Sequence, residues 1–117
     1  MLRVGILVSG GGTNLQAILD RMDDGHLTNV SVEVVISNNR NAYALERARN
    51  HGIRAVAISP KEFETREAFN EAFLAKVDEY KLDLIVLAGF LLTIPEAITR
   101  KHKNRLITIT PSSSPHF

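Results

Sequence analysis

The chain has 117 residues, enough for one small domain around a single core. Its net charge of +1 supplies no field suited to nucleic acid or a membrane surface, and no apolar run reaches the length of a membrane span. The absence of cysteine excludes disulfides and thiolate metal sites and fits a cytoplasmic protein.

Arg3 to Ser9 is a short apolar run that ends in glycines, the pattern of a buried strand. Leu15, Ile18, Leu19 and Met22 then recur at helical spacing as far as Gly25. Val32 to Ile36 predicts a second strand, closed by Ser37-Asn38-Asn39. A helix follows from about Ala42, with Gly52 as its left-handed cap. Ala55 to Ile58 is a third strand, stopped by Pro60. Phe69, Ala72, Phe73, Val77 and Tyr80 make one stripe of a longer helix whose N-cap is Thr65. Leu82 to Ala88 is the fourth and most apolar strand. Pro95 suits the first turn of another helix, and Leu106 to Ile109 predicts a fifth strand. Strands and helices alternate, and the strands are apolar on both faces. That predicts an α/β fold with a doubly wound, mostly parallel, Rossmann-like sheet. Ligands in such sheets bind beyond the carboxyl ends of the strands, which directs attention to Ser9–Asn14, Ser37–Asn41, Gly89–Ile94 and Thr108–Pro115.

Ser9-Gly10-Gly11-Gly12-Thr13-Asn14 joins the first strand to the first helix. Three glycines let a ligand approach the backbone, and free amides at a helix start suit an anion. A tight turn with a helix cap is the plainer alternative, but it needs one glycine at most. A dinucleotide fingerprint would place its third glycine at Leu15 and an acidic residue after the second strand, where Asn38 and Asn39 stand. No Gly-Lys-Ser/Thr follows the glycines, so a nucleoside-triphosphate loop is absent as well. The pattern suits a single phosphate. Arg66, in the first turn of the third helix, reads as a solvated arginine by composition alone. Gly89 to Ile94 extends apolar character past the fourth strand, as a buried connection or as the lining for a flat ligand. His26, His51, His102 and His116 show no metal-ligand spacing, and no metal is expected.

The segments VGILVSGGGTNLQAIL, VVISNNRNAYALERARNHGI, REAFNEAF and DLIVLAGFLLTIP, in that order, resemble the amino-terminal half of the glycinamide ribonucleotide formyltransferase family. The resemblance runs from residue 1 to about 107. It implies a formyltransferase amino-terminal domain over residues 1–110 and a divergent Ser/Pro tail over 111–117. It also implies transfer of a formyl group from 10-formyltetrahydrofolate, the co-substrate, to the amine of phosphoribosylglycinamide in purine biosynthesis. Carried over by position, Gly12, Thr13 and Asn14 hold the substrate phosphate, Arg66 contacts the folate, and Leu91, Leu92, Thr93 and Ile94 line the pterin pocket.

The family's catalytic Asn and His fall at Thr108 and Thr110, while Pro111 and Ser112 keep the family pattern. A threonine hydroxyl can donate a hydrogen bond but cannot serve as an acid or base near neutral pH. The family's downstream Asp and closing strands have no counterpart in this sequence. The resemblance therefore implies impaired catalysis, and an incomplete sheet prone to self-association. A one-base frame shift across Leu-Leu-Pro-Ser-Phe codons would write Ser113 to Phe117, though Ile109 and Ser112 do not follow from it; real divergence is the alternative. A non-catalytic phosphoribosyl- or nucleotide-binding module is the second reading of the chain. An oxidoreductase domain is the third, opposed by Leu15 and the Asn38–Asn39 pair.

Overall fold

A computed structural model describes residues 1–26, 28–90, 100 and 105–109. Its elements in chain order are β1 (Leu2–Val8), α1 (Thr13–Asp23), β2 (Val30–Ser37), α2 (Tyr43–Asn50), β3 (Arg54–Ala57), a 3₁₀ turn (Pro60–Glu62), α3 (Arg66–Glu79), β4 (Leu84–Ala88) and β5 (Leu106–Ile109). The strands form one sheet in the order β3-β2-β1-β4-β5, and every pair is parallel. No helix among the described residues is long and apolar enough to cross a membrane.

Parallel strands buried on both faces need helices on both faces. Val4, Ile6 and Val8 of β1 pack with Val35, Val86, Leu15, Leu19, Leu45 and Ala48 under α1 and α2. Leu7 faces the opposite way and packs with Val34, Ile36, Ile85, Phe69, Phe73 and Val77 under α3. The chain moves outward from β1 to β3 along one face. It then crosses through α3 to β4 on the other side of β1. With one crossover hand, that reversal places α3 on the second face. β1 is therefore the strand at which the winding changes direction.

Strand bounds depart from the sequence reading in ways that have local causes. Leu82 was expected in the fourth strand, yet β4 starts at Leu84. Lys81 has a left-handed backbone, φ 52°. Asp83 docks on Arg3, its N–H donating to the Arg3 carbonyl at 2.7 Å and its Oδ2 accepting from the Arg3 amide at 2.8 Å. Leu82 instead fills the space over Gly5, where a Cβ would lie 2.3 Å from its Cδ1. β3 ends at Ala57, one residue before the expected Ile58, although the Ile58 amide still donates to Ser37 O at 2.8 Å. β2 extends two residues earlier than expected and one later. It bulges at Glu33, because Val4 pairs with Val32 and Gly5 with Val34. Two local signals were read correctly. Thr65 caps α3, its hydroxyl accepting from the Ala68 amide at 3.1 Å, and Gly52, at φ 71°, follows the end of α2. The helix expected at Pro95 lies outside the described residues.

Candidate functional site

The first loop of the sheet leads directly into α1. Ser9 is buried, and Gly10 to Gly12 carry the chain to Thr13. Gly12 is the N-cap at φ 83° and ψ 29°, and no side chain caps the helix start. The first amides of a helix have no partner within the helix and carry the positive end of its dipole. No acidic residue occupies the first turn to compete for them.

The three glycines differ in what requires them. At Gly12 the backbone is left-handed, and a Cβ would lie 2.7 Å from the Ala44 Cβ. At Gly10 and Gly11 a Cβ would meet nothing within 4 Å, and neither has a positive φ. Folding accounts for Gly12 alone; the other two keep open space above the loop.

Both carbonyls that open the loop are held by α2. The Ala44 amide donates to Gly10 O at 3.1 Å, and Arg47 Nε donates to Gly11 O at 2.7 Å. In a trans peptide the N–H lies opposite the C=O. The amides of Gly11 and Gly12 therefore both point away from α2, a pair of like-directed donors of the kind that forms an anion nest. The second loop braces the first from the side. Ser9 Oγ donates to Asn38 Oδ1 at 2.7 Å, and Asn39 Nδ2 donates to Ser9 O at 3.4 Å. Asn39 Oδ1 in turn accepts from the Asn41 amide at 3.0 Å.

Beside the loop lies a cleft of about 140 Å³, lined by Gly10, Gly11, Gly12, Thr13, Asn14, Ala88 and Gly89. It joins the ends of β1 and β4, the point where winding reverses and where open α/β sheets bind ligands. Gly89 is left-handed, φ 71°, and turns the chain so that Phe90 leaves the sheet toward α3. There it completes an edge-to-face series through Phe73, Phe69 and Phe63, with centroids 5.7, 5.5 and 6.0 Å apart. A larger recess of about 530 Å³ lies past β2 and β3, between Asn38–Asn41 and Ser59–Glu62. An Arg40–Glu62 ion pair bridges it.

The structure thus brings together Gly12, Thr13 and Asn14, and adds Gly10, Gly11 and Gly89. The side chains of Thr13 and Asn14 have no hydrogen-bond partner among the described residues. Arg66 begins α3, exposed at the same edge of the sheet. Its guanidinium carbon lies 5.8 Å from the Phe69 ring centroid, and it makes no ion pair among the described residues. Thr108 is exposed in β5 and pairs with Leu87, one step before Ala88 reaches the cleft. Leu91, Leu92, Thr93, Ile94 and Thr110 lie outside the described residues. The described residues contain no cluster of groups able to hold a metal ion. His51 Nε2 lies 2.9 Å from Asp23 Oδ2, tying the far ends of α2 and α1. Asp24, also at that far end, is held below the usual carboxylate range, first by its hydrogen bond with His26. Sequence reasoning did not single out Arg47. Its signal was the i, i+4 pair Tyr43–Arg47 beside the small residues Ala44 and Ala48, which let α2 approach the loop.

The profile of the formyl transferase family matches residues 2–117. The phosphoribosylglycinamide formyltransferase of Escherichia coli strain K12 is 35% identical over 116 residues, covering 99% of this chain and 54% of that protein. The trifunctional purine biosynthetic protein adenosine-3 of Chironomus tentans is 36% identical over 116 residues, which are 98% of this chain and 8% of that protein. Among solved structures, glycinamide ribonucleotide transformylase 1 from Symbiobacterium toebii superposes with a TM-score of 0.87 at 41% identity, over 100% of this chain and 55% of that one. The phosphoribosylglycinamide formyltransferase of Coxiella burnetii gives 0.88 at 37% identity, over 99% and 54%. The chain spans about half the length of these single-function relatives.

Proposed function

The chain belongs to the formyl transferase family, and on that premise we propose that its glycine loop holds the phosphate of phosphoribosylglycinamide for folate-dependent formyl transfer to that compound's amine. The observation that carries this reading is the state of Gly10 and Gly11. Neither is required by backbone conformation or packing, and both line the cleft at the point where the sheet reverses. The Gly11 and Gly12 amides, together with the first amides of α1, supply donors for phosphate oxygens. The Thr13 hydroxyl and Asn14 amide add two more.

The transfer chemistry assigns the remaining roles. The substrate amine attacks the formyl carbon of 10-formyltetrahydrofolate, giving a tetrahedral intermediate with negative charge on oxygen. A donor has to meet that charge, and a proton has to pass from the amine to the leaving nitrogen. Arg66, without an ionic partner among the described residues, takes the contact with an anionic group of the folate in this reading. Leu91 to Ile94 take the pterin-lining role. Thr108 and Thr110 stand at the positions of the family's Asn and His. The Thr108 hydroxyl can still donate to an oxyanion, but Thr110 supplies no acid or base. Binding without efficient turnover is the outcome this combination supports.

Calorimetric titration of the chain with phosphoribosylglycinamide tests the reading. Measurable binding that Asn14→Ala weakens is expected. Equal binding by the variant and the unmodified chain would remove Asn14 from the site, and no binding by the unmodified chain would overturn the proposal.

A further inference from the structure

We propose that Arg47 is a positioning residue of this anion site: it aims the Gly12 amide at the ligand and places a fixed positive charge behind the loop. The inference rests on the phosphate reading above and adds to it a residue that touches no substrate.

An arginine on the outer part of an amphipathic helix is most often a solvated charge. Arg49, two residues on, fits that description: it is exposed and reaches Glu46 at 3.5 Å. Arg47 does not. Its Nε donates to Gly11 O at 2.7 Å, and its Nη1 donates to Gln16 Oε1, on α1, at 3.1 Å. Its guanidinium carbon stands 5.0 Å from the Tyr43 ring centroid. Its stem lies against Gly12, where a Cβ would come within 3.2 Å of Arg47 Cδ. One planar group is therefore fixed by a carbonyl, an amide side chain and an aromatic ring.

The direction of the Gly11 carbonyl is the consequential part. Because the peptide is planar and trans, tying that carbonyl to α2 turns the Gly12 N–H to the opposite side. A charged donor on the carbonyl also polarises the peptide, making its N–H a stronger donor. The Gly10 carbonyl is held by a backbone amide of α2, which any residue but proline at position 44 would supply. Only the second peptide depends on a side chain. Lysine would keep the charge, but it lacks the planar fork that reaches Gly11 O and Gln16 together.

The test compares the unmodified 117-residue chain with Arg47→Met and Arg47→Lys. Each is titrated with phosphoribosylglycinamide, melted, and observed through its backbone amide resonances. The expected result is a loss of affinity of about tenfold in Arg47→Met, the scale of one charge-assisted hydrogen bond removed from the loop's support. The Gly12 amide resonance should shift, and the changes should stay within the loop and the start of α1. Arg47→Lys should fold and bind more weakly than the unmodified chain, recovering only the part of the loss that the charge alone accounts for. Should Arg47→Met fail to fold, Arg47→Lys alone decides the matter. Unchanged affinity in a folded variant, whether or not its melting temperature falls, would make Arg47 a structural prop and overturn the inference while leaving the phosphate reading intact. A chain that fails to bind even when unmodified overturns both.

Discussion

The Cβ that Gly12 lacks would lie 2.7 Å from the Cβ of Ala44 and 2.8 Å from its Cα. The first atom belongs to a side chain without freedom to rotate away, and the second is backbone. The φ of 83° at Gly12 adds a second penalty for any side chain. Gly12→Ala should therefore destabilise the chain by about 2–4 kcal/mol, combining overpacking with left-handed strain. Chemical denaturation would read this directly. A variant as stable as the unmodified chain would mean that α2 does not press on the loop as described.

Gly10→Ala and Gly11→Ala should behave differently. Each new methyl enters open space, so stability should stay within about 0.5 kcal/mol of the unmodified chain. Affinity for phosphoribosylglycinamide should fall nonetheless, because the methyl occupies the approach to the loop amides. Melting and titration of the same two variants separate the effects. A variant that binds normally would show that these glycines leave room for nothing.

Arg3 holds the end of α3 to the sheet. Its Nε donates to Lys81 O at 3.0 Å and its Nη2 to Tyr80 O at 2.5 Å, serving carbonyls that a helix end leaves without partners. Its third nitrogen approaches Glu33, in the β2 bulge, at 3.5 Å. The group is partly exposed, so water can replace much of what is lost. Arg3→Met should cost about 1 kcal/mol in denaturant unfolding. Hydrogen exchange at the last turn of α3 should rise more than exchange at Phe73. A uniform rise along the helix would argue against a local clamp.

Much of this fold was legible because its signals are local. The apolar run of β1, the Thr65 cap and the left-handed Gly52 each depend on a few neighbouring residues. Leu106–Ile109 was read with its exact bounds, since an apolar and β-branched run has few other uses. The misread bounds arose where a distant partner intervenes. Leu82 has strand-like chemistry, but Gly5, 77 positions earlier, gives it a place to pack outside the sheet. The candidate loop shows the same division. Glycine surplus and the switch-point rule singled out this loop, and the structure puts a cleft beside it. Arg47 was not legible, because its hydrogen bond to Gly11 exists only once α2 lies beside a loop 36 positions earlier in the chain.

A core substitution supplies a control for the site variants. Phe73 is fully buried and sits between the rings of Phe69 and Phe90. Phe73→Ala should cost about 3–5 kcal/mol and broaden the amide spectrum across the α3 face. It should also release Phe90, and through Gly89 loosen one wall of the cleft. If affinity for phosphoribosylglycinamide measured on the folded fraction falls as well, the α3 face and the cleft are mechanically linked. Unchanged affinity would confine the cleft's support to the α2 side.

The last prediction concerns turnover. On the assignment proposed above, position 108 supplies a hydroxyl in place of an amide, and position 110 a hydroxyl in place of an imidazole. Loss of one oxyanion donor costs about a hundredfold to a thousandfold in rate, and the Thr108 hydroxyl can recover part of that. Loss of general acid–base help costs roughly a hundredfold to ten-thousandfold, and nothing in a threonine side chain titrates near neutral pH to recover it. The second effect therefore dominates. The chain should bind phosphoribosylglycinamide yet form tetrahydrofolate from 10-formyltetrahydrofolate too slowly to follow by absorbance. Any residual rate should lack the bell-shaped pH profile that an imidazole would impose, because no histidine stands at position 110. Robust turnover by the unmodified chain would show that another group moves the proton, and Thr110 would lose its assignment to the catalytic position.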